Sequence, residues 1–109
     1  MKRAVVLCLT FFARVETVVK NLGRTCRLVS QTEVLRRDEY RIAMRVGNWA
    51  LSQDHYHFMV QLSNGQWAHK QGGNASEIKP ANFNPATGDW VLLLPLKYNS
   101  KTLFFAVNR

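Results

Sequence analysis

The chain is poor in the residues that usually announce a chemistry. Among 109 residues it has two cysteines, three prolines and only 7 acidic side chains. Cys8 and Cys26 lack CxxC spacing, which excludes a thioredoxin-type redox motif or a cysteine zinc knuckle. Both are expected to be buried free thiols. No run approaches the roughly 18–20 apolar residues of a membrane helix, so no membrane association is expected, and the cytoplasm is the expected location. Walker and dinucleotide glycine fingerprints are missing, and Gly72-Gly73-Asn74 reads as a loop. RNP, KH and zinc-finger motifs are missing too, as are internal repeats and interdomain linkers.

What is present suits one globular domain spanning residues 1–109. Hydrophobic residues make up 47% and charged residues 20%, which excludes a disordered chain. The length suffices for a core without metal or disulfide staples. The 15 basic residues give a net charge of +8, and residues 1–50 hold 10 of them against 4 acids. Such an excess favours anionic partners: nucleic acid, acidic protein or an anionic surface.

Met1-Lys2-Arg3, the apolar run Ala4 to Phe12, and Ala13 behind it imitate a secretory signal. The run is read here as a buried strand or helix. Val15, Val18, Val19 and Leu22 then recur at helical spacing before Gly23, a C-cap residue. Ser30 and Glu33 form a capping box ahead of Val34 and Leu35, which predicts a second short helix. From Tyr40 the period changes to two. Tyr40, Ile42, Met44 and Val46 face one way and Arg41, Ala43 and Arg45 the other, a strand with one wet side. Tyr56, Phe58, Val60 and Leu62 alternate likewise, and Asn64-Gly65 is a strong hairpin turn. Residues 72–89 read as one long loop, Trp90 to Leu94 as a doubly covered central strand, and Leu103 to Val107 as the last strand. The fold class expected is α+β: two short helices in residues 13–38 over one face of an antiparallel sheet of about five strands, near 40–46, 55–62, 66–71, 90–96 and 102–107. The apolar excess of residues 90–107 raises a homodimer as one way to cover both faces.

Three histidines carry the candidate chemistry. His55 and His57 are two apart on one strand and so share a face, while His69 lies on the partner strand. A two-residue turn sets His69 opposite Val60, away from His57. A three-residue loop with a glycine bulge sets it opposite Met59, on the face of His55 and His57. Only the second gives a three-histidine site for Zn²⁺ or Fe²⁺. No acid is evident to orient a metal-bound histidine, and no metal or other cofactor is expected. A thiol nucleophile is the other possibility, with Cys26 among Arg24 and Arg27, His57 as base, and His69 or Gln61 to orient it. Arg36, Arg37, Arg41, Arg45 and Lys70, with Trp49, Trp67 and Tyr56 alongside, are the candidate surface for nucleic acid or another anion.

The run Tyr56-His57-Phe58 through Gln61, Asn64-Gly65 and Trp67 to His69-Lys70 and Gly72 resembles a bacterial family. That family carries a Tyr-His-Trp/Phe-Tyr-Arg-Gln strand, an Asp-Gly turn and a Trp-Ser-His-Lys-x-Gly strand. Tyr40 to Met44, Asn84-Pro85-Ala86-Thr87 and Phe104 to Val107 are similar to its flanking segments, so the resemblance covers about Tyr40 to the C-terminus. It implies a papain-like or NlpC-like thiol-hydrolase branch, with His57 and His69 in its histidine hairpin. The chain departs from the family at Val60 and Ala68, where the family has arginine and serine, and it lacks the upstream Asn-Cys-Tyr. The function expected is therefore a small basic binding or structural module, a non-catalytic relative of that branch rather than an enzyme. The alternatives are a nucleic-acid or acidic-partner binding protein and a residual Cys26–His57 hydrolase.

Overall fold

The computed structural model describes residues 13, 16, 17, 19–48, 54–69, 76–93, 96–98 and 101–108. The apolar run of residues 4–12, Trp49 and Lys70 lie outside them. The described residues are mostly β: β1 (Cys26–Val29), β2 (Glu39–Asn48), β3 (Asp54–Gln61), β4 (Trp67–His69), β5 (Glu77–Ile78), β6 (Val91–Leu93), β7 (Leu96–Lys97) and β8 (Leu103–Asn108). Six of these form an antiparallel sheet in the order β1-β8-β2-β3-β4-β5, and β6 and β7 pair separately.

Both faces of the sheet are covered. Cys26, Met44, Val46, Phe105 and Val107 pack on the first face, joined by Val19, Tyr40, Ile42, Phe58 and Leu103. Ala43, Met59, Trp67, Trp90, Tyr98 and Phe104 pack on the second, with Val29 and Phe83. The strand with apolar residues on both sides is β8, and it lies between β1 and β2. A near-continuous hydrophobic run belongs in such a position. This corrects the expectation for residues 90–96. They form the small β6–β7 hairpin, with Val91 opposite Lys97, instead of a sheet strand. Pro95 offers no backbone N–H, so an unbroken central strand through it would lose a ladder bond. The hairpin's base is closed by the Tyr98 N–H on the Trp90 carbonyl at 2.8 Å, which sets both rings side by side on the second face. That cover comes from the same chain, so double burial is no argument for a second subunit.

The two expected N-terminal helices are not both present. One short helix, helical at the described positions 13, 16, 17 and 19–21, ends at Gly23 (φ 76°). The second is replaced by bends. Half of the capping box does form, with the Ser30 N–H donating to Glu33 Oε1 at 3.2 Å. But Arg27 holds the Glu33 carboxylate at 2.9 Å, and the Arg41 guanidinium donates to the Glu33 carbonyl, the oxygen that helix continuation would need. The α+β expectation thus reduces to an antiparallel sheet with one short helix.

The side of β2 read as wet is interior. Arg41, Ala43 and Arg45 are all buried: Arg41 donates to Gln61 and the Glu33 carbonyl, and Phe83, Trp90 and Tyr98 pack on the same face. Arg45 stays buried by donating to Thr102 Oγ1 (2.7 Å) and to the carbonyls of Pro85 (2.9 Å) and Ala86 (3.0 Å), with its guanidinium 5.0 Å from the Trp90 ring centre.

Candidate functional site

The β3–β4 turn decides where the histidines meet. The Leu62 N–H donates to the Gln66 carbonyl at 2.8 Å and the Gly65 N–H to the Leu62 carbonyl at 2.9 Å, with Gly65 at φ 90°. This is the three-residue loop with a glycine bulge. Asn64 steadies it by accepting the Gln66 N–H at 2.9 Å. Gln61 then pairs with Trp67 and Val60 with Ala68, so the next position sets His69 opposite Met59, on the face of His57.

The two rings touch. His57 Nε2 lies 2.8 Å from His69 Nδ1, with the ring planes at 86°. His69 Nε2 lies 3.0 Å from Glu77 Oε1, and Lys79 Nζ lies 2.7 Å from the same oxygen. Strand β5 brings Glu77 there, because its register pairs His69 with Glu77. On the other side His57 stacks on Tyr98 at 5.1 Å and meets Trp90 edge-on at 6.1 Å.

The hydrogen-bond directions in this chain of groups are constrained. A carboxylate only accepts, so His69 donates from Nε2. With His69 neutral, its Nδ1 must accept from His57 Nε2–H, which leaves the lone pair of His57 on Nδ1. Burial pushes the His57 imidazole down to about 4, and the charge of Lys79, with that of His69 when its ring is protonated, acts in the same direction. Lys79, and then His69, hold the Glu77 carboxyl down at about 2. At neutral pH the site is therefore a carboxylate–histidine–histidine chain ending in a neutral, stacked imidazole. Such a chain can orient a ring and move a proton between its ends.

Cys26 is not brought to this site. It pairs with Val107 in β1 and packs in the first-face cluster, whereas His57 pairs with Arg45 and stacks against second-face residues. The sheet lies between them. Burial, then Glu16, pushes the Cys26 thiol up to about 11, the reverse of an activated nucleophile. His55 occupies β3 opposite Gly47, and its side chain lies outside the described residues. Among the described residues no group of three His, Cys, Asp or Glu side chains is arranged around a common metal position.

The candidate anion-binding arginines separate into two sets. Arg36 and Arg37 are exposed on the turn before β2. Arg41 and Arg45 are buried; Arg41 donates to Gln61 Oε1 at 3.1 Å, while its buried Nε has no acceptor among the described residues. Half-buried Arg27 clamps Glu39 through two bonds of 2.9 and 2.8 Å, and that pairing holds the Glu39 carboxyl down at about 2.

Four members of the site are not evident in the sequence: Glu77, Lys79, Trp90 and Tyr98. Glu77 stood inside a segment read as loop. Its only signal is the alternation Glu77-Ile78-Lys79 before Pro80, too short to separate a strand from chance. Compared with protein-family models, curated proteins and solved structures, the chain matches none.

Proposed function

We propose that this chain is a small, basic, non-catalytic binding module that keeps the histidine hairpin of the thiol-hydrolase branch it resembles without a working nucleophile. One observation carries the reading: Cys26 and His57 lie on opposite faces of the sheet. A general base must come within about 2.6–3.2 Å of the group it activates, or reach it through one water. His57 instead spends Nε2 on His69 and its ring face on Tyr98. The histidine–carboxylate chain then acts as a brace that ties β3, β4 and β5 to the Trp90–Tyr98 cover. Iodoacetamide labelling of Cys26 in a Cys8→Ser background tests this. The expected rate is slow at neutral pH, rises with alkali, and is unchanged by His57→Ala. Fast labelling at neutral pH that His57→Ala abolishes would restore a Cys–His hydrolase.

An anionic-partner reading stands second, supported by the exposure of Arg36 and Arg37 on one turn. It loses Arg41 and Arg45, whose guanidinium groups are taken up by the interior.

A further inference from the structure

The first face carries a groove that the core does not fill. One stretch, about 290 Å³, is lined by Ile42, Phe58, Met59, Val60, Ala68, His69 and Ser76. A second, about 790 Å³, is lined by Arg24, Tyr40, Val60, Leu62, Ser63 and Asn64. Val60 belongs to both, so the two adjoin along β3, where Gln61 also borders the second. The larger stretch alone has the size of a small-ligand site.

The groove is polarised along its length. The Phe58 end offers aliphatic and aromatic carbon, and the Leu62 end offers a hydroxyl, an amide and one guanidinium. Arg24 is exposed and makes no ion pair among the described residues. This contrasts with Arg27, Arg41 and Arg45, each of which is engaged by carboxylates, carbonyls or amides. A free cation at one end of an apolar trough suits a ligand with an anionic head and a hydrocarbon tail. From Phe58 to Leu62 the strand rises about 13 Å at roughly 3.3 Å per residue, the reach of a decanoate-length chain.

We infer that this groove binds a single-chain aliphatic carboxylate, with the head at Arg24 and the tail over Val60 toward Phe58. The inference rests on the reading of the chain as a binding module and names its ligand class. His57 and Tyr98 do not line the groove, whereas His69 borders its Phe58 end. Burying the tail supplies most of the affinity, and the exposed Arg24 pairing supplies discrimination for the charged head.

Calorimetric titration of the full chain with decanoate and with decanol tests the assignment. Saturable binding of decanoate is expected. Arg24→Gln should weaken it about two- to five-fold, the range for an exposed ion pair, and leave decanol binding unchanged. Val60→Trp should weaken both ligands about tenfold or more by filling the junction. Amide shifts of the unmodified protein give a reading independent of whether that variant folds. Decanoate should move residues 58–64 and Arg24 and leave His57 and Tyr98 in place. No saturable binding, indifference to Arg24→Gln, or shifts centred on the His57 face would each overturn the groove. The Cys26 labelling test would stand apart from any of those results, since it reads the other question of whether the chain has a nucleophile.

Discussion

At the scale of single residues, His57 shows how burial sets protonation. Its ring is wedged between Tyr98 and Trp90, and its folded value of about 4 lies below the ordinary 6.5. The unfolded chain therefore takes up a proton first as pH falls. The contribution of His57 to stability is whole above about pH 6.5 and is lost progressively toward about pH 4. The acids with lowered values act lower down: Glu77, reached through His69, and Glu39, clamped by Arg27 elsewhere in the sheet, are both held near 2 against an ordinary 4.5, so their loss begins below about pH 4.5. Urea midpoints measured at about pH 7 and about pH 5 should fall for the native chain. For His57→Gln, which can still donate to His69 Nδ1, the two midpoints should nearly coincide. An equal fall in both proteins would remove His57 as the source. The histidines themselves could be read from the sequence, but the acid that orients them could not. Parity fixes which residues share a strand face, whereas Glu77 reaches His69 only through a two-residue strand pairing.

Among the elements, turns that demand glycine were the most legible and long-range cover the least. Asn64-Gly65 announces the β3–β4 hairpin because both residues tolerate positive φ. The loop length stayed open in the sequence, since two-residue and three-residue forms accept the same residues. Gly88 gave no comparable signal, although the structure depends on it. A Cβ there would sit 2.6 Å from the Phe83 ring and 2.9 Å from the Asn84 carbonyl oxygen. That backbone oxygen also accepts the N–H groups of Thr87 and Gly88, so it cannot retreat cheaply. The adjacent Pro85 carbonyl takes donors from Arg45, Trp90 Nε1 and Thr102 at 2.9, 3.0 and 2.9 Å, which makes this bend the anchor of the second-face cover. Gly88→Ala should cost about 1–3 kcal/mol by overpacking, read as a lowered urea midpoint with unchanged slope. Gly65→Ala meets no atom within 4 Å and is strained only by its φ of 90°, for about 1 kcal/mol. If the two variants lose equal stability, contact at Gly88 is not what sets its identity. The missed strands have the same origin as the missed bend. Residues 90–96 look central by composition alone, whereas the interior strand with buried residues on both sides is β8, flanked by β1 and β2.

For the molecule as a whole, the count of 15 basic residues overstates the cations a partner could contact. Arg41 and Arg45 are structural cations inside the second face, and Arg27 is neutralised by Glu33 and Glu39. Alternation along β2 could not reveal this. An arginine every fourth residue looks like a solvated strip until another segment is laid across it. Arg45 is better described as a clamp that holds residues 85, 86 and 102 against β2 than as a binding residue. Exchanging it would therefore test folding. Of the four candidate arginines, the exposed pair Arg36 and Arg37 remains for nucleic-acid contact. Each phosphate neutralised releases counterion, so the logarithm of affinity falls with the logarithm of salt by about 0.9 per contact on duplex DNA. Replacing both residues by Ala should flatten that slope by about 2 units at most. With no base-reading motif alongside, the native chain should show only weak, sequence-independent retention in filter binding at about 150 mM salt. Submicromolar, sequence-selective binding that survives the double replacement would require another surface and would displace the binding-module reading in favour of a nucleic-acid protein.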